Sequence, residues 1–412
     1  MGSDSAGGVG RRRLLGWGGL AAVGAATWMP LVGTGTGHAE PAGPPPDTLP
    51  GGAYDRYVAR LAAEGRFSGV VLLSHRGRTV LSRSYGMADR EKGIRNHEGI
   101  AVSLSSAAKP FCAVAVLRLV QEGRLKLTDT VGAHLTGFAP EIADQVTVHH
   151  MLTDTSGLRT PEQDPHRVFT SRDEVREHHE RWTRQAELVA APGTGTDGHS
   201  GANFAIPVQI VEAVTGMTYW DYVEENVFRR AGMTGSAFYT RPQWLTDEHI
   251  AHSYMTVADG GQVDAVRNLD QGSPFPYELD KNPGRAFIDY DGFATAPDLV
   301  RFARAIHDGT VLERPYGEVL TAAKVPHGPQ PEGGRAASLA TSVDTSFGAY
   351  LMAVAIVGGQ WLWGRAGVNP GSGASWNVYP HTDWVGVVLS NSDDAPLQKI
   401  LQQEAQAVTG RY

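Results

Sequence analysis

The chain is 412 residues long, 41% hydrophobic and 19% charged, with a formal net charge of −8. That is the composition of a globular protein, and the acidic balance argues against nucleic acid as the main partner, since phosphate binding needs a clustered basic surface. A single cysteine, Cys112, rules out an internal disulfide. Its apolar helical context, with Phe111, Ala113 and Val114, reads as a small buried hydrophobe.

Arg11-Arg12-Arg13-Leu14-Leu15 precedes an uncharged Gly- and Ala-rich stretch that runs to Gly37. The pattern resembles a twin-arginine export signal, and Gly37-His38-Ala39 has small residues where a signal peptidase reads. Residues 1–39 are therefore expected to be a signal removed after Ala39, giving a secreted product. Gly16, Gly18, Gly19, Gly24 and Pro30 oppose a retained spanning helix, so no membrane span is expected in the mature chain. Residues 40–52 read as a Pro/Gly linker, and 53–412 as the folded domain.

Tyr54–Glu64 has the spacing of an opening helix. Gly69–His75 and Thr79–Tyr85 flank Arg76-Gly77-Arg78 as a β-hairpin. Ser106–Gly123 reads as a helix, with Phe111, Val114, Leu117 and Val120 at helical spacing and Gly123 as its stop. Further helices are expected at Val146–Leu152, 205–215, 219–230 and Ala296–Asp308. Strands follow at Ala349–Val357, Gln360–Trp363, Ser375–Tyr379 and Trp384–Leu389, and a helix, Leu397–Val408, closes the chain. Strands at both ends with helices between make an α+β fold: a sheet layer from about 53–125 and 285–412, interrupted by a mainly helical region over about 126–284.

The chemistry begins at Ser106-Ala107-Ala108-Lys109. Positions three apart on a helix share a face, so a hydroxyl and an amine lie side by side. A serine hydroxyl attacks only when a neighbouring base takes its proton, and a buried lysine serves because desolvation disfavours the ammonium. A helix N-terminus adds backbone N–H groups suited to an oxyanion. Alone, the tetrapeptide reads better as an N-cap serine beside a surface lysine, since two fixed positions in four recur by chance. The adjacent pairs His149-His150 and His178-His179 diverge by about 100° on a helix and make poor chelates. Trp361, Trp363, Trp376 and Trp384 read as core and pocket wall.

Longer segments carry a resemblance. Phe67-Ser-Gly-Val-Val-Leu-Leu with Tyr85-Gly-Met-Ala-Asp, the helix Lys109–Leu125, Val146-Thr-Val-His-His-Met-Leu-Thr-Asp-Thr-Ser-Gly-Leu158, Gly216-Met-Thr-Tyr with Val227–Gly235, and Asp291–Leu299 follow in order. Together they resemble the β-lactamase and penicillin-binding-protein serine hydrolases from about residue 54 to 402. The third segment matches V-T-I-R-H-L-L-T-H-T-S-G-L closely. The resemblance implies a serine β-lactamase/transpeptidase-like fold, an antiparallel sheet flanked by helices, and acyl transfer through an acyl-serine. It implies Ser106 as nucleophile, Lys109 as its base, no cofactor and no metal.

Two family motifs are altered. Where the family has Y-x-N after Pro-Gly-Thr, this chain has Pro192-Gly193-Thr194 and then His199-Ser200-Gly201. His199 is either the acid/base that the family tyrosine supplies or a loop histidine without a catalytic role. Asn203 is a candidate to replace the missing amide. Where the family has K-T-G or H-x-G, Trp363-Gly-Arg-Ala-Gly-Val-Asn-Pro-Gly371 puts Arg365. A guanidinium is no base but holds a carboxylate by two parallel bonds; the other reading is a structural ion pair. By the family geometry, Gly367 admits the substrate and the Val368 N–H joins that of Ser106 as oxyanion hole.

The expected function is an exported peptidase or esterase on a small acyl or D-amino-acid substrate, of D-alanyl-D-alanine carboxypeptidase or β-lactamase type. Its partner is a small-molecule or peptide substrate, and its oligomeric state is open. The alternatives are an acyltransferase or cyclase tailoring a secondary metabolite by the same acyl-serine, and a penicillin-recognising sensor without turnover.

Overall fold

A computed structural model describes residues 43–163, 169, 171–194, 200–256, 260–268, 292–326 and 345–411. The signal expected over 1–39 and His199 lie outside the described residues. Among the described residues, no helix is long and apolar enough to cross a membrane.

Eight strands form an antiparallel sheet: β1 Gly69–His75, β2 Arg78–Tyr85, β3 Val325–Pro326, β4 Thr345–Gly348, β5 Ala353–Val357, β6 Gln360–Asn369, β7 Ser372–Tyr379 and β8 Trp384–Ser390. Their order is β3-β4-β5-β6-β7-β8-β1-β2, so the last strand pairs with the first, from Gly69↔Ser390 to His75↔Trp384. The β1–β2 hairpin turns through Arg76 and Gly77, at φ 51° and 73°. Two successive left-handed residues match the right-handed twist of the strands they join.

The helices used below are α1 Ala53–Ala63, α2 Lys109–Gln121, α3 Val148–Leu152, α4 Ala202–Thr215, α5 Ala296–His307 and α6 Leu397–Thr409. Side chains alternate across a strand, and β1 divides its own accordingly. Val71 and Leu73 pack with Tyr54, Val58 and Leu61 of α1 and Ile400 and Leu401 of α6. Val70 and Leu72 enter the larger core with Phe111 and Val114 of α2 and Trp376 of β7. Covered on both faces, β7 and β8 are buried along their whole length. The sequence of β8, Trp384-Val-Gly-Val-Val-Leu-Ser390, reads as a near-continuous apolar run for the same reason.

The stripe expected on α2 is too narrow. Every residue from Lys109 to Leu119 is buried, because α4 and the helical region beyond pack around α2 while the sheet covers its other side. A helix buried all round is a core helix. Its α-helical hydrogen bonding begins only at Lys109, after a 3₁₀ turn over Ser105–Ala108.

Two boundaries differ instructively from the sequence reading. The strand expected from Ala349 starts at Ala353, because Leu351 takes φ 52° and its N–H is tied to Leu152 O at 2.8 Å. The last part of the proposed linker belongs to the body of the domain. Pro46–Thr48 form a 3₁₀ turn against α6, with Thr48 fully buried and its hydroxyl on Pro45 O at 2.6 Å. Proline fixes φ near the value such a turn needs, so the same residues suit a linker or a turn until a packing surface decides.

Candidate active site

The nucleophile candidate rides on the 3₁₀ turn. The Lys109 N–H donates to Ser106 O. In a 3₁₀ helix the side chains at i and i+3 eclipse, so Ser106 and Lys109 are stacked more directly than an α-helix would place them. Ser106 is half-buried, and Lys109 is only 1% exposed. Ser105 sits in the left-handed region at φ 49°, a strained conformation for a residue other than glycine.

The turn is held against an open edge of the sheet. β5 pairs with β6 only from Gln360 to Gly364, so among the described residues no strand pairs with 365–369 of β6 on that side. The Ser105–Ala108 turn occupies the space. Ser105 Oγ donates to Val368 O at 2.9 Å. In an antiparallel strand the N–H and C=O of one residue point to the same edge, so the Val368 N–H also faces the turn. Trp376, across from Arg365 in the β6–β7 register, donates its indole N–H to Ala107 O at 3.0 Å. Asn369 Nδ2 donates to Ser103 Oγ at 3.0 Å.

Gly367 makes this approach possible. A β-carbon there would lie 2.5 Å from the backbone nitrogens of Ser106 and Ala107 and 2.4 Å from Leu104 O. All three are backbone atoms and cannot swing aside.

Facing the turn, the start of α4 contributes Asn203 and Phe204. Lys109 Nζ stands 5.9 Å from the Phe204 ring centroid. Asn203 is 2% exposed and its amide is committed: Nδ2 donates to Asp154 Oδ1 at 2.7 Å, and Oδ1 accepts from Ser156 Oγ. The amide therefore braces the loop after α3. Asp154 occupies the place where the resembled segment has histidine, at φ 60°.

Arg365 lies on the same face of β6 as Gly367, two residues along, about 7 Å by strand geometry. Its side chain is half-buried, and its buried Nε has no hydrogen-bond partner among the described residues. Burial lowers the guanidinium's pKa, and the Asp154 carboxylate opposes that. The structure thus gathers Ser106, Lys109, Gly367, Val368, Asn203 and Arg365 around one edge.

Two contributors were missed from sequence: Ser105 and Asp154. Asp154 had a visible signal, an acid in place of histidine in an otherwise close match. Ser105 had none, because its role is a contact to β6 that only the folded chain brings about. Trp376, read as core and pocket wall, is placed as that wall by its bond to the turn.

A serine and a lysine stacked on one turn, pressed under a strand edge with an inward N–H, define a serine hydrolase of the acyl-transferring kind. The chain belongs to the beta-lactamase family, whose model matches residues 54–409. Over 265 residues it is 26% identical to PbpX of Bacillus subtilis (strain 168), named as a penicillin-binding protein, covering 64% of this chain and 61% of that one. Over 93 residues it is 43% identical to the esterase EstB of Burkholderia gladioli, covering 22% of this chain and 24% of that one. It therefore spans less than two thirds of either relative's length. In fold it is similar to a penicillin-binding protein from Bacillus halodurans, with a TM-score of 0.68 at 22% identity over 85% of this chain and 98% of that one.

Proposed function

We propose that the protein is an exported acyl-serine hydrolase, a peptidase or esterase acting on small acyl or D-amino-acid substrates that carry an anionic group. Ser106 Oγ attacks the substrate carbonyl, and its proton passes to Lys109. The N–H groups of Ser106 and Val368 receive the developing oxyanion. Collapse of the tetrahedral intermediate breaks the bond to the leaving group, which takes a proton from His199. Water then cleaves the acyl-serine, giving one proton to His199 as its oxygen bonds the acyl carbon, while Lys109 returns its proton to Ser106 Oγ, so all three groups are restored. Arg365 holds the anionic group beside Asp154. The observation that carries the reading is the approach of Gly367 to the Ser106 and Ala107 amides with the Val368 N–H on the same edge. Export rests on Arg11-Arg12-Arg13 and the stretch after it.

The test is covalent labelling of the mature protein with a fluorophosphonate and a fluorescent penicillin. Label on wild type that Ser106→Ala abolishes supports the acyl-serine, and rapid loss of the penicillin label supports turnover. Wild type that takes no label from either probe refutes it.

A further inference from the structure

A buried charge cluster lies apart from the proposed catalytic groups. The Arg267 guanidinium meets Asp89 Oδ2 and Glu91 Oε2, each at 2.9 Å, and also Asp264. His252 donates from Nδ1 to Asp264 Oδ2 at 2.7 Å, and its Nε2 is 3.8 Å from Asp89 Oδ2. The side chains of His252 and Asp89 are 2% and 3% exposed. Such clusters add little net stability, since each ion loses its hydration and apolar residues of equal volume serve as well. What a guanidinium fork bound to several carboxylates does supply is fixed direction.

The direction it fixes is that of a small ladder, Tyr254–Thr256 paired with Gln262–Asp264. Asp264 ends that ladder and Arg267 follows it, while Asp89 and Glu91 belong to the chain after β2. The His252 N–H adds a bond to Ala88 O at 2.8 Å. At the other corner Tyr254 is clamped: its hydroxyl accepts from the Arg90 N–H at 2.7 Å, and the Arg90 guanidinium stacks 4.0 Å from its ring centroid.

Tyr254 in turn supports the end of the strand that faces Ser106. Its N–H is shared between Gly371 O at 3.1 Å and Asn391 O at 3.0 Å. Pro370 and Gly371 are the two central residues of the β6–β7 turn, with Gly371 at φ 75°, the signature of a type II turn. A β-carbon on Gly371 would stand 2.6 Å from Tyr254 N. Val368 lies three residues before Gly371.

We infer that the Asp89–His252–Asp264–Arg267 cluster is a positioning device for the oxyanion strand: through Tyr254 it holds the Pro370-Gly371 turn and so aims the Val368 N–H. This rests on the reading of Val368 as an oxyanion donor. Its residues are positioning residues that touch no reacting atom.

The test uses the full mature chain with p-nitrophenyl acetate as substrate and a fluorophosphonate as tetrahedral probe. Removing an oxyanion donor outright costs about 10²–10³ in kcat, so misaiming one is expected to cost about tenfold or more. Arg267→Met should lower kcat by that much with KM within about twofold, and slow phosphonylation of Ser106 by the fluorophosphonate in parallel. Arg267→Lys, which keeps one charged contact, should fall between. If Arg267→Met does not fold, Gly371→Ala decides, because it pushes the turn off Tyr254 and leaves the cluster intact. A folded variant with kcat within about twofold of wild type overturns the inference, whatever its Tm. Wild type that takes no label and shows no esterase activity overturns the acyl-serine reading instead, and this inference falls with it.

Discussion

The Ser105 hydroxyl donates a 2.9 Å hydrogen bond to the Val368 carbonyl, so the residue before the nucleophile holds the strand edge that faces it. Loss of one such bond costs about 1 kcal/mol in stability, too little to unfold a domain of this size. Its geometric effect is larger, because the bond sets the spacing between the two N–H groups proposed for the oxyanion. Ser105→Ala should remain folded, lose about tenfold or more in kcat on a nitrophenyl ester, and keep KM within about twofold. A kcat equal to wild type would mean that Gly367 packing alone sets the spacing.

Two glycines on facing strands make a sharper contrast. A β-carbon on Gly367 meets backbone at 2.4–2.5 Å, whereas one on Gly373, directly across from Val368, meets Leu397 Cδ2 at 3.6 Å and Val368 Cγ1 at 3.8 Å. The first is a collision and the second ordinary contact. Gly367→Ala should slow fluorophosphonate labelling of Ser106 by about 10²–10³, the scale of a lost oxyanion donor. Gly373→Ala should be labelled within about twofold of the wild-type rate. Equal labelling rates in the two variants would show that the turn yields, and that the close approach is not needed for reaction.

How much of this was legible in the sequence follows from the range of the forces involved. Local signals placed the hairpin, α5 and α6, because Arg76-Gly77 and Gly309 mark turns by their own backbone needs. The nucleophile turn was placed but taken for α-helix. Its 3₁₀ form depends on contacts that sequence spacing does not encode: Ser105 on Val368 and Trp376 on Ala107. β3 and β4 were missed because strands of two and four residues carry too few alternations to register. Asn203, read as a spare substrate amide, is spent on Asp154 and Ser156, a pairing that joins segments about fifty residues apart. The charge cluster around Arg267 was invisible for the same reason. Asp89 and Arg267 each look like ordinary surface residues until the sheet brings their loops together.

Arg365 and Asp154 should respond to mutation with opposite signs. The guanidinium has a buried nitrogen without a hydrogen-bond partner among the described residues, and the carboxylate beside it favours its charged form. A charge-assisted hydrogen bond is worth about 1.5–3 kcal/mol, or about 10–100-fold in affinity. Arg365→Ala should therefore raise KM for an acidic acyl ester at least about tenfold more than for a neutral one. Asp154→Asn preserves the Asn203 bond while removing the negative charge, so it should lower KM for the acidic ester and leave the neutral one unchanged. Comparison of the two substrates on both variants checks this, and parallel losses on both would refute the anion site.

On the other face of the sheet, Glu404 of α6 makes stability depend on pH. It is fully buried; Oε1 accepts from Asn377 Nδ2 at 2.9 Å and Tyr379 Oη at 3.2 Å, while Oε2 has no hydrogen-bond partner among the described residues. Gly386 leaves the space for this carboxyl, which would lie 2.3 Å from a β-carbon there. Burial pushes its pKa up to about 7 from an ordinary 4.5, although the Asn377 and Tyr379 bonds pull it down. A raised folded-state pKa means that the folded chain prefers the protonated form. The stabilisation is complete below pH 4.5, shrinks as pH rises through 7, and is gone above it, a swing of about 3 kcal/mol. Glu404→Gln keeps the shape and the acceptor oxygen but does not titrate. In urea unfolding at pH 5 and pH 8, the variant's stability relative to wild type should rise by about 2–3 kcal/mol between the two conditions. Curves that stay parallel across that range would mean that Glu404 titrates at its ordinary value, and that water enters beneath α6 to solvate the charge.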